Sequence, residues 1–229
     1  MKYKIGVDVG GTFTDFLLVD EKGDAEIYKT LSTPKDLTIG FFNGMKEMAD
    51  ARSQSLADFL KQVEIIVHGT TVTTNAVLTN NGVKTGLLTT KGFRDALQMR
   101  RGMREVLYDN KYTAPEPLVP RYLRLPVEER VTLDGNILTP VNREDVVKGA
   151  QQFRDEKVQS VAVCLLHSYA NTNNEKEVGE ILRELLPDTY LTLSCELLPQ
   201  IRFYDRVSTT VLNSYVGPIL ERYLTNLTK

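Results

Sequence analysis

Apolar residues alternate with polar ones from Tyr3 through Ile5 and Val7 to Val9, with Lys4, Gly6 and Asp8 between them, which is the period of a half-buried strand. The pair Gly10-Gly11 breaks that alternation. An apolar run resumes over Phe13–Val19, and Ala25–Leu31 follows the turn signal Glu21-Lys22-Gly23-Asp24, so three adjacent antiparallel strands are predicted. The period then changes. Leu37, Phe41, Phe42, Met45, Met48 and Ala49 fall at three- and four-residue steps, which predicts a helix over 35–52 with one apolar face. A short helix over 55–62, a strand over 63–67, a helix over 70–79 stopped by Asn80-Asn81-Gly82, a strand over 83–89 and a helix over 92–99 follow. The order β-β-β-α-β-α-β-α predicts a single mixed sheet, antiparallel at its start and parallel afterwards.

The character shifts between Arg100 and Pro140. This stretch carries Pro115, Pro117, Pro120 and Pro126, the cluster Arg100, Arg101 and Arg104, and strand-like segments over 122–125 and 129–133, so it reads as an insertion. Regular elements resume with helices over 143–156, 174–186 and 203–224 and strands over 158–166 and 189–194. The continuous apolar run Val161–Leu166 suits a strand buried on both faces. The expected division is a first subdomain over 1–99, the insertion over 100–140 and a second α/β segment over 141–229. Its element order is that of one half of the actin-like, ribonuclease H-like ATPase architecture.

The break in the first alternation carries the richest chemistry. In Gly6-Val7-Asp8-Val9-Gly10-Gly11-Thr12-Phe13-Thr14-Asp15, a strand enters a turn poor in side chains, with two hydroxyls and two flanking carboxylates. Glycines let amides approach phosphate oxygens, hydroxyls donate, and a carboxylate holds the accompanying magnesium through water. The turn is predicted to be a hairpin tip, because neither G-x-x-x-x-G-K-[ST] nor a strand-turn-helix G-x-G-x-x-G is present. An ordinary hairpin would prefer Asn-Gly or Asp-Gly there. A second motif, Val67-His68-Gly69-Thr70-Thr71-Val72-Thr73-Thr74-Asn75, lies where a strand passes into a helix, the place where open α/β sheets bind ligands. His68 reads three ways, as a general acid/base, an oxygen ligand or a packed polar residue. His167 reads as a loop residue.

Composition narrows the partners. With 28 Lys and Arg against 30 Asp and Glu, the net charge is −2 and no basic run exceeds two residues, which argues against nucleic acid and anionic membranes. No apolar stretch approaches about 18 residues, and the chain enters a strand close to Met1, leaving no room for a signal peptide. The two cysteines, Cys164 in a strand and Cys195 in a loop, match no metal spacing. A cytoplasmic, globular protein is expected. At 229 residues, it can hold one large core or two small ones.

Five stretches, in order, carry a resemblance. Asp8–Asp15, His68–Asn75, Lys91-Gly92-Phe93-Arg94-Asp95, the pair Pro115–Arg121 with Glu129-Arg130-Val131, and Ser194-Cys195-Glu196 followed by Pro199 and Ser208–Asn213 resemble the N-terminal region of the hydantoinase A/5-oxoprolinase family. The resemblance implies an ATP- and magnesium-dependent subunit that phosphorylates the amide oxygen of a hydantoin, 5-oxoproline or lactam before water opens the ring. It also implies a second subunit or domain of the hydantoinase B type. Acetone and acetophenone carboxylases resemble the same region and imply a ketone substrate instead. A truncated, non-catalytic partner-binding domain is the third reading. By position, the resemblance assigns Asp8 to magnesium and to catalysis, Gly10, Gly11, Thr12 and Thr14 to the phosphates, Thr70, Thr71 and Asn75 to substrate, and His68 to a nearby catalytic role. Asp15 is the weaker carboxylate, expected to stabilise the hairpin.

Two departures are visible. Asp205 stands where the family tends to carry Glu, and Asn171–Asn174 stands where a Pro and a His are expected. Nothing after Asn213 resembles the family's second phosphate loop or adenosine pocket, so the chain is expected to be a fragment or a split gene product, inactive alone.

Overall fold

The computed structural model describes residues 2–33, 36–104 and 106–228. They form two compact units. Residues up to Asn81 and from Ile219 onward make the first, and Gly82–Pro218 make the second.

The first unit is built on β1 (Tyr3–Val9), β2 (Phe13–Asp20) and β3 (Ala25–Leu31), the three strands predicted from alternation, joined by β4 (Val63–Thr70). Their order is β3-β2-β1-β4, antiparallel through the first three and parallel between β1 and β4. Helices α1 (Leu37–Asp50), α2 (Leu56–Leu60) and α3 (Val72–Leu78) complete the unit. The apolar stripe of α1 supplies Phe41, Met45, Met48 and Ala49 to a core shared with Ile5, Val7, Val9, Phe16 and Leu18. Each of these side chains except Ala49 contributes about 1.5–3 kcal/mol by leaving water. Asp36 caps α1 by accepting from the Thr38 amide at 3.1 Å, while the expected start at Lys35 lies outside the described residues. Gly44 is obligatory in this packing, since a Cβ there would sit 2.2 Å from the Phe16 ring.

The second unit holds an all-parallel sheet made of β5 (Thr85–Thr90), β6 (Arg124–Val127), β9 (Ser160–Cys164) and β10 (Tyr190–Leu193), in the order β10-β9-β5-β6. Between β6 and β9 lie the small pair β7 (Arg130–Val131) and β8 (Ile137–Thr139) and helix α5 (Arg143–Asp155). Helices α4 (Ala96–Met99), α6 (Asn173–Leu185), α7 (Ser194–Leu197) and α8 (Phe203–Leu227) account for the remaining regular structure. The residues of α8 from Ile219 onward belong to the first unit.

Three expectations change here. The strand near 83–89 does not extend the first sheet but becomes the interior of the second, where all six of its residues are buried. A run buried on both faces announces a central strand without saying of which sheet. The division therefore falls at Gly82 instead of near residue 99. The stretch 100–140 is not a separate insertion either, because β6 pairs with β5 and closes the edge of the parallel sheet. Pro126 is tolerated on that edge because one side of an edge strand needs no ladder donor. Finally, Cys195 lies in the short helix α7, not in a loop. Burial pushes the thiols of Cys164 and Cys195 up to about 12, which leaves them inert.

A polar cluster is enclosed within this unit. Glu175, fully buried in the first turn of α6, accepts from the Leu165 amide and the Cys195 amide, each at 2.7 Å, and from Ser194 Oγ at 2.9 Å. Arg206 of α8, also fully buried, donates to the Leu165 carbonyl at 2.8 Å and to Ser168 Oγ.

Candidate functional site

The turn between β1 and β2 is held from within by one residue. Ser32, immediately after β3, donates its amide to the Thr12 carbonyl at 2.9 Å and its hydroxyl to the Gly10 carbonyl at 2.8 Å. With that proton committed, the hydroxyl accepts from Thr14 Oγ1, 3.0 Å away. Gly10 in turn donates its amide to the Phe13 carbonyl at 3.0 Å. The carbonyls of Gly10, Thr12 and Phe13 are thus occupied by protein, while the amides of Gly11 and Thr12, both exposed, donate to no protein group among the described residues. A turn with this polarity attracts an anionic oxygen. Gly10 is required by the backbone beside it, and Gly11 is closely approached. A Cβ at Gly10 would meet the Phe13 carbonyl at 2.9 Å, and one at Gly11 would meet Asn75 Nδ2 at 3.0 Å.

Asp8 lies on the exposed face of the sheet, beside Asp15 of β2 and Gly69 of β4 in the strand register. Asp15 is paired with Lys29 of β3 at 2.8 Å. Asp8 makes no ion pair among the described residues. No group of three metal-ligating side chains occurs among them either. One free carboxylate beside unpartnered amides is the donor set that suits Mg²⁺, which keeps most of its waters and takes the rest of its shell from substrate phosphates.

The structure brings Asp8, Gly10, Gly11, Thr12 and Asn75 together and turns other expected residues away. Thr14 is fully buried on the core face with its hydroxyl bonded to Ser32, so its side chain supports the turn from within. The Thr70 hydroxyl donates to the Val9 carbonyl at 3.1 Å and accepts from the Val72 amide at 3.2 Å, tying β4 to β1. Both bonds give this hydroxyl a place in the scaffold. Thr71 is exposed, and its hydroxyl accepts from Asn75 Nδ2 at 3.3 Å, which steadies Asn75 against Gly11. His68 pairs in register with Val7, whose side chain faces the core, whereas the neighbouring Asp8 faces the other way. Its ring packs 6.0 Å from Phe41 and 5.5 Å from Tyr223, with Nε2 2.5 Å from the Tyr223 hydroxyl. Of the three readings open for His68, packing is the one this placement fits. Ser32 and Tyr223 are the residues that sequence reasoning missed.

Burial pushes the His68 imidazole below its ordinary value. The unfolded chain then binds a proton that the folded chain refuses, so its contribution is complete above the unfolded value near 6.5 and is lost as pH falls toward the folded value. Thermal unfolding midpoints should accordingly drop between pH 7.5 and 5.5, and His68→Gln should make that drop smaller. An equal drop in both proteins would assign the effect to other groups.

The family profile described as "Hydantoinase/oxoprolinase N-terminal region" matches residues 4–186. The chain belongs to this family. Caprolactamase subunit alpha of Pseudomonas jessenii is 39% identical over 97% of this chain and 32% of its own length. The acetophenone carboxylase gamma subunit of Aromatoleum aromaticum is 36% identical over 93% of this chain and 31% of its own length. The crystal structure of the ATP-dependent caprolactamase from Pseudomonas jessenii superposes with a TM-score of 0.90 at 38% identity, covering 99% of this chain and 33% of that one. The chain spans about a third of the length of these relatives. The likeness extends across the α/β architecture expected from the sequence, with its mixed sheet led by a β-hairpin, as in the actin-like fold. Among the described residues, no helix is long and apolar enough to cross a membrane.

Proposed function

We propose that this chain is the N-terminal, phosphate-gripping part of an ATP-dependent subunit that activates a cyclic amide, such as a hydantoin, 5-oxoproline or a lactam, by phosphorylation for ring opening. The observation that carries the reading is the hairpin tip, whose Gly10 and Thr12 carbonyls are taken up by Ser32 and whose Gly11 and Thr12 amides stand exposed beside Asp8. An amide is a poor electrophile, and the nucleotide supplies a phosphoryl group that turns its oxygen into a leaving group. In this reading, the amides of Gly11 and Thr12 orient the terminal phosphates, while the Thr12 hydroxyl donates beside them. Asp8 holds the waters of Mg²⁺, and Asn75, pressed on Gly11, fixes the tip against α3. Ring opening is completed with a companion subunit of the hydantoinase B type, in a cytoplasmic setting that accords with the free thiols of Cys164 and Cys195.

The relation to the acetophenone carboxylase gamma subunit favours a second reading, in which the same phosphate turn serves carboxylation of a ketone. One experiment separates them. The protein, with its companion subunit, is supplied with Mg-ATP, labelled bicarbonate and either a lactam or a ketone. Lactam-dependent ADP release with a ring-opened amino acid product and no incorporated label is the expected result. Label in a keto acid product would replace the hydrolase reading with the carboxylase one.

A further inference from the structure

Beyond α4, the second unit exposes apolar side chains in an unusual concentration. Met99, Met103, Val106, Leu107 and Tyr108 are 69%, 72%, 53%, 71% and 95% exposed. Single apolar side chains on a surface are ordinary, but five within ten residues, all more than half exposed, form a patch of the kind that marks an interaction site. Arg100, Arg101 and Arg104 are interleaved with them. The patch continues into two adjoining hollows. One of about 300 Å³ is lined by the three arginines, Met103 and Tyr204, and one of about 280 Å³ is floored by Leu97, Pro117, Leu118, Val211 and Leu212. Arg100 and Tyr204 line both.

The chemistry selects the occupant. Met, Tyr and Arg are the residue types concentrated in protein interfaces and their energetic centres, where Lys, Glu and Asp are depleted. A small ligand would leave Leu107 and Tyr108 in water, because neither lines a hollow. Nucleic acid and anionic lipid call for a basic run, whereas here no more than two cations are adjacent, and Gly102 and Met103 separate Arg101 from Arg104. A second copy joined across a two-fold axis would lay this patch on itself and set arginine against arginine. Arg101 is already paired with Asp205 at 2.7 Å, which is the local form of the complement the patch requires, a carboxylate beside apolar side chains.

We propose that residues 99–104 and 106–108, with Tyr204, are the docking surface for the companion subunit, which presents carboxylates flanked by apolar side chains. This rests on the two-component reading above. The test measures affinity between the protein and the purified hydantoinase B-type subunit encoded in the same organism, by titration calorimetry at 50 and 300 mM salt. Wild-type protein should bind, more weakly at the higher salt. Arg104→Glu and Leu107→Asp should each weaken binding by about 30-fold or more, the size of an interface hot spot. Both side chains are exposed and outside the packed cores, so unfolding midpoints and Mg-ATP binding should match wild type, which separates lost docking from lost folding. If wild-type protein fails to bind the B-type subunit, the two-component reading falls and this surface with it. If wild type and both variants bind equally, the docking assignment alone is overturned. It is overturned equally if the variants disperse a homodimer and leave the hetero-complex intact.

Discussion

Asp8→Asn should lower lactam-dependent ATP hydrolysis by about 10²–10³-fold, the range seen when one preorganised electrostatic group is removed from a phosphoryl or acyl site. The expected loss is large because the neighbouring carboxylate in the strand register is already paired. Asp15 is pinned to Lys29 at 2.8 Å, and no other described cluster could hold the ion. Asparagine keeps the shape and the hydrogen-bonding reach of the side chain but not the charge that orders magnesium-bound water. Folding should be untouched, since Asp8 is exposed and makes no ion pair among the described residues that the substitution would break. Rates of ADP release measured across a magnesium titration should show a higher metal requirement as well as a lower ceiling. Asp15→Asn provides the contrast, because it removes only an exposed pair worth about 0–1 kcal/mol and should leave turnover within a few-fold of wild type. Retention of activity within about threefold in Asp8→Asn would move the phosphate chemistry away from this hairpin.

Legibility in the sequence followed the range of the interactions. Strands β1 to β3 and helix α1 were readable because a period of two or of about 3.6 is written within a single element. The same alternation also fixes which face Thr14 takes. Phe16 and Leu18, two and four residues on, are core residues, so Thr14 lies with them and away from the solvent side of the strand. That signal was present, and the motif's attraction as a row of hydroxyls hid it. His68 was harder to place, since Ile65, Ile66 and Val67 form a continuous apolar run that carries no phase. The roles of Ser32 and Tyr223 depend on register between strands and on a contact across 155 positions of sequence, neither of which a local pattern encodes. The assignment of β5 to the second sheet belongs to the same class. Its burial was visible, but its neighbours β6 and β9 lie 37 or more residues further on, past a proline-rich stretch. Cation and apolar residues after α4 stood out as a cluster, but only their exposure in the fold distinguishes an interaction patch from an ordinary loop.

The largest effect on stability is expected at Glu175, a residue with no place in the phosphate chemistry. Its carboxylate is fully buried and receives the Leu165 amide on one oxygen and the Cys195 amide on the other, each at 2.7 Å, with Ser194 Oγ at 2.9 Å from both. Arg206 is the nearby buried cation, joined to this carboxylate through the shared Ser194 hydroxyl at 3.4 Å and to the Leu165 carbonyl at 2.8 Å. Glu175→Ala would leave two amides and a hydroxyl unsatisfied, at about 1–3 kcal/mol each when no water enters, and would strand the Arg206 charge. A loss of about 3–5 kcal/mol follows, a large part of the 5–15 kcal/mol by which a domain is ordinarily stable. Glu175→Gln should be only a partial remedy. Its single carbonyl oxygen can accept one of the two amides, and its NH₂ must then face the other, donor against donor. Urea unfolding with hydrogen exchange read at β9 and β10 resolves these variants, because Leu165 and Cys195 follow directly on those strands or one residue later. Adding Arg206→Met to Glu175→Ala should recover part of the loss by removing the stranded cation, giving a coupling of about 1–3 kcal/mol in a double-mutant cycle. Glu175→Ala costing less than about 1 kcal/mol would mean that water reaches the cluster and replaces the carboxylate, and the enclosed hydrogen-bond network would then not be what fixes α6 and α7 at the ends of these strands.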